Sequence, residues 1–103
     1  MKFIMTFSWK PDPKIRDEAI SRFQKVGAYP PQGVKLLTRW TRADLSGGYD
    51  LLESDDSKAL AELALLWCDL MELQISPVLE DMEMAEVFKR SGKTRRPRQR
   101  AGR

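Results

Sequence analysis

The sequence predicts an α+β fold in which strands and helices follow one another in the order βαββαβ, with a short third helix at the end. Two observations lead to this prediction. Segments with an apolar residue at every second position, typical of strands, lie at the start of the chain and on both sides of residues 42–48. Segments with apolar residues three and four positions apart, typical of helices, lie between and after them. The length of 103 residues allows one hydrophobic core, so we expect a single domain.

The first strand and the first helix are predicted from residues 2–26. Residues Lys2 to Trp9 alternate, and their larger side chains share one face: Phe3, Met5, Phe7 and Trp9. Asp12 and Pro13 are typical of a helix start, because the carboxylate caps the first turn and proline lacks an N–H that would have no partner there. We expect this helix from about Pro13 to Val26, with Gly27 ending it and an apolar stripe of Ile15, Ala19, Ile20, Phe23 and Val26.

The stretch Gly33 to Ser54 predicts a β-hairpin at the centre of the chain. Its turn is expected to pair Arg42 with Gly48 and to end at the two glycines, because Ser46-Gly47-Gly48 precedes a strand and is too short for a phosphate-binding loop. Strict alternation places Val34, Leu36, Thr38 and Trp40 on the helix side, and Lys35, Leu37, Arg39 and Thr41 on the other. On that second face we interpret Arg39 and Glu53 as a structural salt bridge.

The second half of the chain repeats the pattern of helix and strand. Asp55 and Asp56 are interpreted as caps of a second helix, not as a paired-carboxylate site. Its inward stripe is Leu60, Leu63, Ala64, Trp67, Leu70 and Met71, and Leu65 and Leu66 extend the apolar surface further round. Leu73 and Ile75 continue as a fourth strand, which Pro77 restricts to an edge or a bulge. A third helix is expected from Glu80 to Arg90, with acidic residues first and basic residues last.

These elements close into a ferredoxin-like sandwich. Right-handed crossovers leave a gap beside the first strand, and the hairpin brings the third strand into it, which gives the spatial order four, one, three, two. Both helices then cover one face of the sheet. The other face is too apolar to suit water and too charged for a core, so we expect it to meet the sheet of a second copy, as in a dimeric α/β barrel.

The net charge of +3 is unevenly distributed. Residues 1–88 hold ten Lys/Arg and fifteen Asp/Glu, a net charge of −5, whereas residues 89–103 hold eight Lys/Arg and no acidic residue. We therefore divide the chain into a domain, residues 1–90, and a basic tail, residues 91–103, which we expect to be disordered. Binding to an anionic partner, which could be a nucleic acid, an acidic protein surface or an anionic lipid surface, would use Lys93, Arg95, Arg96, Arg98, Arg100 and Arg103. The alternative is a solubilising end.

Composition limits the chemistry of this chain. No run is long and apolar enough for a transmembrane segment or a signal peptide, and we expect a cytoplasmic protein. The single cysteine, Cys68, has apolar neighbours and no basic partner nearby, so an activated thiolate is not expected. Because the chain has no histidine, we expect no metal and no cofactor, and no catalytic residue is assigned.

The three tryptophans suggest a site. The first two strands run in the same direction, so Trp9 and Trp40 lie near one end of the sheet, and Trp67 lies late on a helix that runs towards it. One interpretation is a ligand-binding pocket formed by these aromatic residues, with polar contacts from Thr38, Arg42 and Asp50. The alternative is a packed aromatic core, which is the more common role of aromatic residues at core spacing.

Several segments together resemble a family of short bacterial proteins, domain-of-unknown-function family 3303. These segments are MKFIMTFSW, PPQGVKLLTRW, SGGYDLLESDD, KALAELALLWCDL and ISPVLED, and the resemblance spans roughly Met1 to Phe88. It implies the dimeric α/β-barrel fold and no catalytic residues. The basic extension after Arg90 differs from the usual short ending of the family.

Two functions remain open at this point. The first is a non-enzymatic homodimeric module that binds a partner or a small apolar ligand, with the basic tail for an anionic partner. The second is a cofactor-independent enzyme, similar to a monooxygenase or an isomerase, that uses the tryptophan-lined pocket with Arg42 or Asp50 polarising the substrate. The absence of histidine and asparagine argues against the second.

Overall fold

The computed structural model describes residues 1–27 and 29–92. Within them the chain forms four strands and three helices in the predicted order. The elements are β1 (Lys2–Trp9), α1 (Pro13–Val26), β2 (Val34–Thr41), β3 (Gly47–Ser54), α2 (Ser57–Trp67), β4 (Met71–Val78) and α3 (Asp81–Ser91). The prediction of an α+β, ferredoxin-like fold is confirmed. The basic tail that the sequence predicts lies outside the described residues from position 93 onwards.

The four strands form one antiparallel sheet with the spatial order β2-β3-β1-β4, which is the predicted order. β1 is central and pairs with both β3 and β4. Pro77 lies opposite Phe3 in the edge strand β4, where a residue without an N–H costs no hydrogen bond to a further strand.

The strand β2 contains a β-bulge that changes which side chains face the helices. Leu36 pairs with Leu52, but Thr38 pairs with Leu51, so Leu37 is the extra residue on this strand. Because side chains alternate along a strand, one inserted residue moves every later side chain to the opposite face.

Beyond the bulge, Arg39 lies opposite Asp50 on the helix side, and Trp40 lies opposite Tyr49 on the open side. The prediction from strict alternation is therefore wrong for the second half of β2. The residues whose predicted faces are exchanged are Thr38, Arg39, Trp40 and Thr41.

The hairpin turn differs from the predicted one in its pairing and in where the return strand begins. Thr41, not Arg42, pairs with Gly48, and both glycines belong to β3 instead of the turn. A Cβ atom at Gly48 would meet the Phe7 ring at 2.7 Å and the carbonyl oxygen of Trp40. Glycine at this position therefore allows close packing of β3 against its neighbours.

Helices α1 and α2 pack on the same face of the sheet. α2 begins at its N-cap Asp56, whose side chain accepts from the N–H groups of Lys58 and Ala59, and it contributes much of the core. The buried apolar residues are Met5, Phe7, Ala19, Val34, Leu52, Ala59, Leu60, Leu63, Trp67, Leu70 and Met71. No helix among residues 1–27 and 29–92 is both long and apolar enough to cross a membrane.

The helix α1 packs less closely than its sequence stripe predicts. Ala19 is its buried residue, whereas Ile20, Phe23 and Val26 are 40%, 39% and 67% exposed. Apolar surface therefore remains open on the side of α1 that lies next to the hairpin.

Candidate ligand-binding cleft

An ion pair between the buried Asp50 and the partly buried Arg39 lies on the helix face of the sheet. Arg39 Nε donates to Asp50 Oδ1 at 2.7 Å, and Arg39 Nη2 donates to Asp50 Oδ2 at 3.0 Å. Asp50 is 1% exposed, and the Arg39 side chain is 23% exposed. Such a two-bond pairing of guanidinium and carboxylate is strong and fixes the orientation of both groups.

The interpretation of Arg39 and Glu53 as a salt bridge is wrong. Glu53 lies opposite Lys35 and Lys2 on the open face, where the bulge has left it without Arg39 as a neighbour. The adjacent leucines Leu36 and Leu37 interrupt the alternation of β2, and this doublet is the sequence signal that could have indicated the bulge.

Aromatic side chains surround this ion pair. The Phe23 ring of α1 lies 5.2 Å from the Arg39 guanidinium carbon, and it contacts Trp67 of α2 at 6.5 Å between ring centroids. On the sheet side Phe7 and Trp9 pack edge to face at 5.8 Å. The guanidinium therefore lies in an aromatic environment that favours flat apolar groups.

The indole of Trp9 is held by the hairpin turn. The indole Nε1–H donates to the carbonyl oxygen of Leu45 at 2.5 Å. The backbone N–H of Trp9 donates to the carbonyl oxygen of Ser46 at 3.1 Å. Within the turn, Asp44 accepts hydrogen bonds from the Ser46 hydroxyl and N–H, which lower the pKa of Asp44. The ring of Trp9 is thereby fixed with its apolar surface against the cleft.

A second ion pair ties α1 to the end of α2. Arg22 donates to both carboxylate oxygens of Asp69, at 3.0 and 2.8 Å, and to the carbonyl oxygen of Leu66 at 3.0 Å. Hydrogen bonding to Arg22 lowers the pKa of Asp69, and the same contact raises the pKa of Arg22. The Arg22 guanidinium also lies 5.6 Å from the centre of the Trp67 ring, so it holds the C-terminal end of α2 beside α1.

These elements leave a small cavity that continues into a wider cleft. The cavity has a volume of about 30 Å³ and is lined by Met5, Phe7, Trp9, Phe23, Arg39, Asp50, Leu63, Trp67 and Met71. This is room for about two water molecules. The outer cleft, about 360 Å³, lies between α1 and the hairpin and is lined by Phe7, Trp9, Ile20, Phe23, Gln24, Arg39, Thr41 and Leu45.

Three of the six residues predicted to form the pocket lie together here. Trp9, Trp67 and Asp50 all line the cavity. The prediction that Trp40 points between sheet and helices is wrong, because the bulge turns it to the open face, where it is 53% exposed. Thr38 is turned to the same open face, opposite Leu51. Sequence reasoning missed Arg39 and Phe23, whose positions depend on the bulge and on how α1 lies over the sheet.

Arg42 lies at the start of the hairpin turn and does not line the cavity. Its N–H donates to the carbonyl oxygen of Gly47 at 2.7 Å, and its side chain approaches Asp44 at 3.8 Å. With Tyr49 and Gln74 it borders a depression that opens elsewhere on the surface.

The remaining candidate residues make structural contacts or lie at the surface. Asp56 is the N-cap of α2, as predicted, whereas Asp55 accepts from the N-terminal ammonium group at 3.2 Å. Cys68 is an exposed thiol at the C-terminal end of α2. In residues 1–27 and 29–92 no three His, Cys, Asp or Glu side chains are close enough together to hold a metal ion. The six predicted anion-binding residues, from Lys93 to Arg103, lie outside the described residues.

The open face of the sheet forms a second surface. It carries the exposed aromatic residues Trp40 and Tyr49, and the partly buried Ile4 and Leu51 lie beside them. At the end of the sheet where β1 begins, Lys2 Nζ donates to Glu80 Oε1 at 2.5 Å. This contact, with the nearby Glu53 and Glu83, raises the pKa of Lys2.

Comparison with known proteins identifies the family. No curated protein sequence matches this chain. One family model, described as "Domain of unknown function (DUF3303)", matches residues 1–92 and so includes all seven helices and strands. The resemblance noted in the sequence is thereby confirmed, and the chain belongs to the DUF3303 family.

Proposed function

We propose that this protein is a non-enzymatic, homodimeric module that binds a small, flat, apolar molecule in the cleft between α1 and the hairpin. The observation that supports this proposal best is the combination of an apolar cleft of about 360 Å³ with one fixed ion pair at its inner end. Small-molecule sites in proteins have this size and combine apolar walls with a few placed polar groups.

The chemistry of the cleft favours an uncharged ligand. Arg39 and Asp50 carry opposite charges and neutralise each other, so an ionic ligand would gain little net attraction and would lose its hydration. The rings of Trp9 and Phe23 offer flat apolar contacts. A neutral aromatic molecule with one hydroxyl or carbonyl directed at the ion pair fits these properties.

Binding is favoured over catalysis in this cleft. Both oxygens of the buried Asp50 accept hydrogen bonds from Arg39, so neither is placed as an unengaged general base. The cavity directly beside the pair has a volume of about 30 Å³, room for about two waters and too little for a substrate. A cofactor-independent enzyme therefore stays the second candidate. Turnover of a ligand found by the experiments below would favour the enzyme.

The dimer in this proposal forms through the open face of the sheet. Trp40 and Tyr49 are 53% and 38% exposed there, and Ile4 and Leu51 continue the apolar surface towards the centre of the sheet. A sheet of this type gains free energy when a second apolar sheet covers it. The basic tail, residues 91–103, is proposed as a separate attachment to an anionic partner.

Native mass spectrometry of the freshly purified full-length protein tests the dimer and the ligand together. We expect a dimer that carries an additional small mass. A dimer without such a mass would contradict occupation of the cleft after purification, and a monomer would contradict the paired sheets.

A titration with 1-naphthol, a neutral flat aromatic probe, tests the cleft itself. We expect saturable quenching of tryptophan emission, since Trp9 lines the cleft and Trp67 lines the cavity at its inner end. Ile20→Glu places a charge on the cleft wall and should raise Kd at least about tenfold, because the charge must stay hydrated. Val26→Glu is the matched control, as Val26 lies on the same helix but outside the cleft. Equal Kd values for wild type and Ile20→Glu, or no saturation, would refute the proposed site.

A further inference from the structure

The helix α3 is amphipathic but has no buried residue. Its apolar side consists of Met84, Val87 and Phe88, of which Val87 and Phe88 are 40% and 42% exposed. Met82, at 83% exposed, lies on the opposite side of the helix. Met84 is partly buried, and every other residue of α3 is exposed.

An isolated helix of this length is not stable in water. α3 has 11 residues, and helices shorter than about 12 to 15 residues are marginal unless an apolar face is packed. Its local signals for a helix are complete, because Glu83 accepts from the Glu80 N–H at 2.9 Å and Gly92 ends it in the left-handed conformation. The missing contribution is a surface against which the apolar side can pack.

The start of α3 lies on the open side of the sheet. Lys2 alternates with the inward-facing Phe3, so its side chain is on the open face, and it binds Glu80 directly before the helix. Glu83, in the first turn of the helix, also lies near the Lys2 ammonium group. The first turn of α3 therefore lies on the open face of the sheet, which is the face that a second copy would cover and is opposite to the face that carries the cleft and α2.

The area of the open face indicates why a dimer needs this helix. Four strands of eight residues cover about 500 Å², so two sheets bury at most about 1,000 Å², the lower bound for a specific interface. An 11-residue helix has a side of about 160 Å². Two helices, each docked on the other copy, add about 640 Å² and bring the total to about 1,600 Å², the usual size.

We propose that α3 of each protomer packs its Met84, Val87 and Phe88 side against the second copy of this chain and so holds the two open sheet faces together. This inference rests on the homodimer of the proposed function. It makes α3 part of the interface instead of a free appendage.

The test compares full-length wild type with Phe88→Glu and with Met82→Glu as the matched control, by sedimentation over a range of concentrations. Phe88→Glu should raise the dimer Kd at least about 100-fold, roughly tenfold for each of the two symmetry-related side chains. Met82→Glu should leave Kd unchanged, and Phe88→Ala should have an intermediate effect.

The outcomes separate this inference from the proposed function. A dimer whose Kd is the same for wild type and Phe88→Glu would leave the sheet interface intact and refute the role of α3. A wild-type monomer would refute both. If Phe88→Glu lowers Tm independently of protein concentration without changing Kd, α3 packs on its own domain, and the inference is again refuted.

Discussion

At the scale of single residues, Arg39 illustrates how a one-residue change of strand register determines which groups a side chain contacts. Its guanidinium faces the helices only because one leucine of β2 is extra, and there it binds Asp50 at 2.7 Å. A charge in such surroundings depends on its counter-charge, because transfer from water into an apolar cleft is unfavourable. The ion pair should therefore contribute to folding as well as to the shape of the cleft.

Asp50→Ala tests this dependence. The substitution removes the carboxylate from a guanidinium that is 23% exposed, and breaking a buried pair from one side is strongly destabilising. We expect the free energy of unfolding, measured in urea, to fall by about 3 kcal/mol. Glu53→Gln is the control, since Glu53 lies on the open face of the same strand, and it should change stability by less than about 0.5 kcal/mol. Similar losses for both variants would show that the pair has no special role.

The limits of sequence prediction are visible in the same residues. Alternation correctly placed Phe7 and Trp9, because β1 is regular along its whole length. It misplaced Trp40 and Arg39, because a bulge is a property of strand pairing and leaves only an adjacent pair of leucines in the sequence. Three of the six candidate residues, Trp9, Trp67 and Asp50, therefore line the cavity as the sequence predicted, whereas the ion pair of Arg39 and Asp50 could not be predicted.

At the scale of elements, the ends of the helices were predictable because their signals are local. Asp12 caps α1 at the Lys14 N–H, and Asp56 caps α2 at the Lys58 and Ala59 N–H groups. The loose packing of α1 was not predictable, since the exposure of Phe23 depends on how far the helix lies from the hairpin. The position of α1 involves contacts remote in sequence, such as Arg22 with Asp69.

Asp55 and Asp56 provide a test of capping with an internal control. Both were interpreted as caps, but only Asp56 accepts from the first turn of α2, at 3.0 and 3.4 Å. Asp56→Ala should lower the free energy of unfolding by about 1 kcal/mol, the usual value of an N-cap. Asp55→Ala removes an exposed contact to the N-terminus and should cost less than about 0.5 kcal/mol. Equal thermal and urea midpoints for the two variants would contradict the assignment of the cap.

At the scale of the whole molecule, the order of the strands could be predicted from general rules more reliably than the position of any site. The order β2-β3-β1-β4 is what right-handed crossovers and a central hairpin require, whatever side chains fill the core. The distribution of charge is a second property of the whole chain. Residues 1–88 carry a net charge of −5, and residues 89–103 carry +8. The domain and its extension should therefore respond to a polyanion in opposite ways.

The charge distribution makes the tail testable by salt dependence. An acidic domain repels a polyanion, so binding of a labelled dT20 oligonucleotide should come from the basic residues after position 88. With up to eight contacts, log K against log salt should have a slope as steep as about −6 for a single strand. Replacing the five arginines Arg95, Arg96, Arg98, Arg100 and Arg103 by serine should reduce the slope to about −2 and the affinity at low salt by at least about 100-fold. The control variant replaces three exposed basic residues of α1, Lys14, Arg16 and Lys25, and should bind like wild type. Loss of binding in the control variant would assign the contact to the domain and reject the tail as the site of attachment. Wild-type binding by the five-serine variant would do the same, because the basic residues that remain in the tail could not account for that affinity.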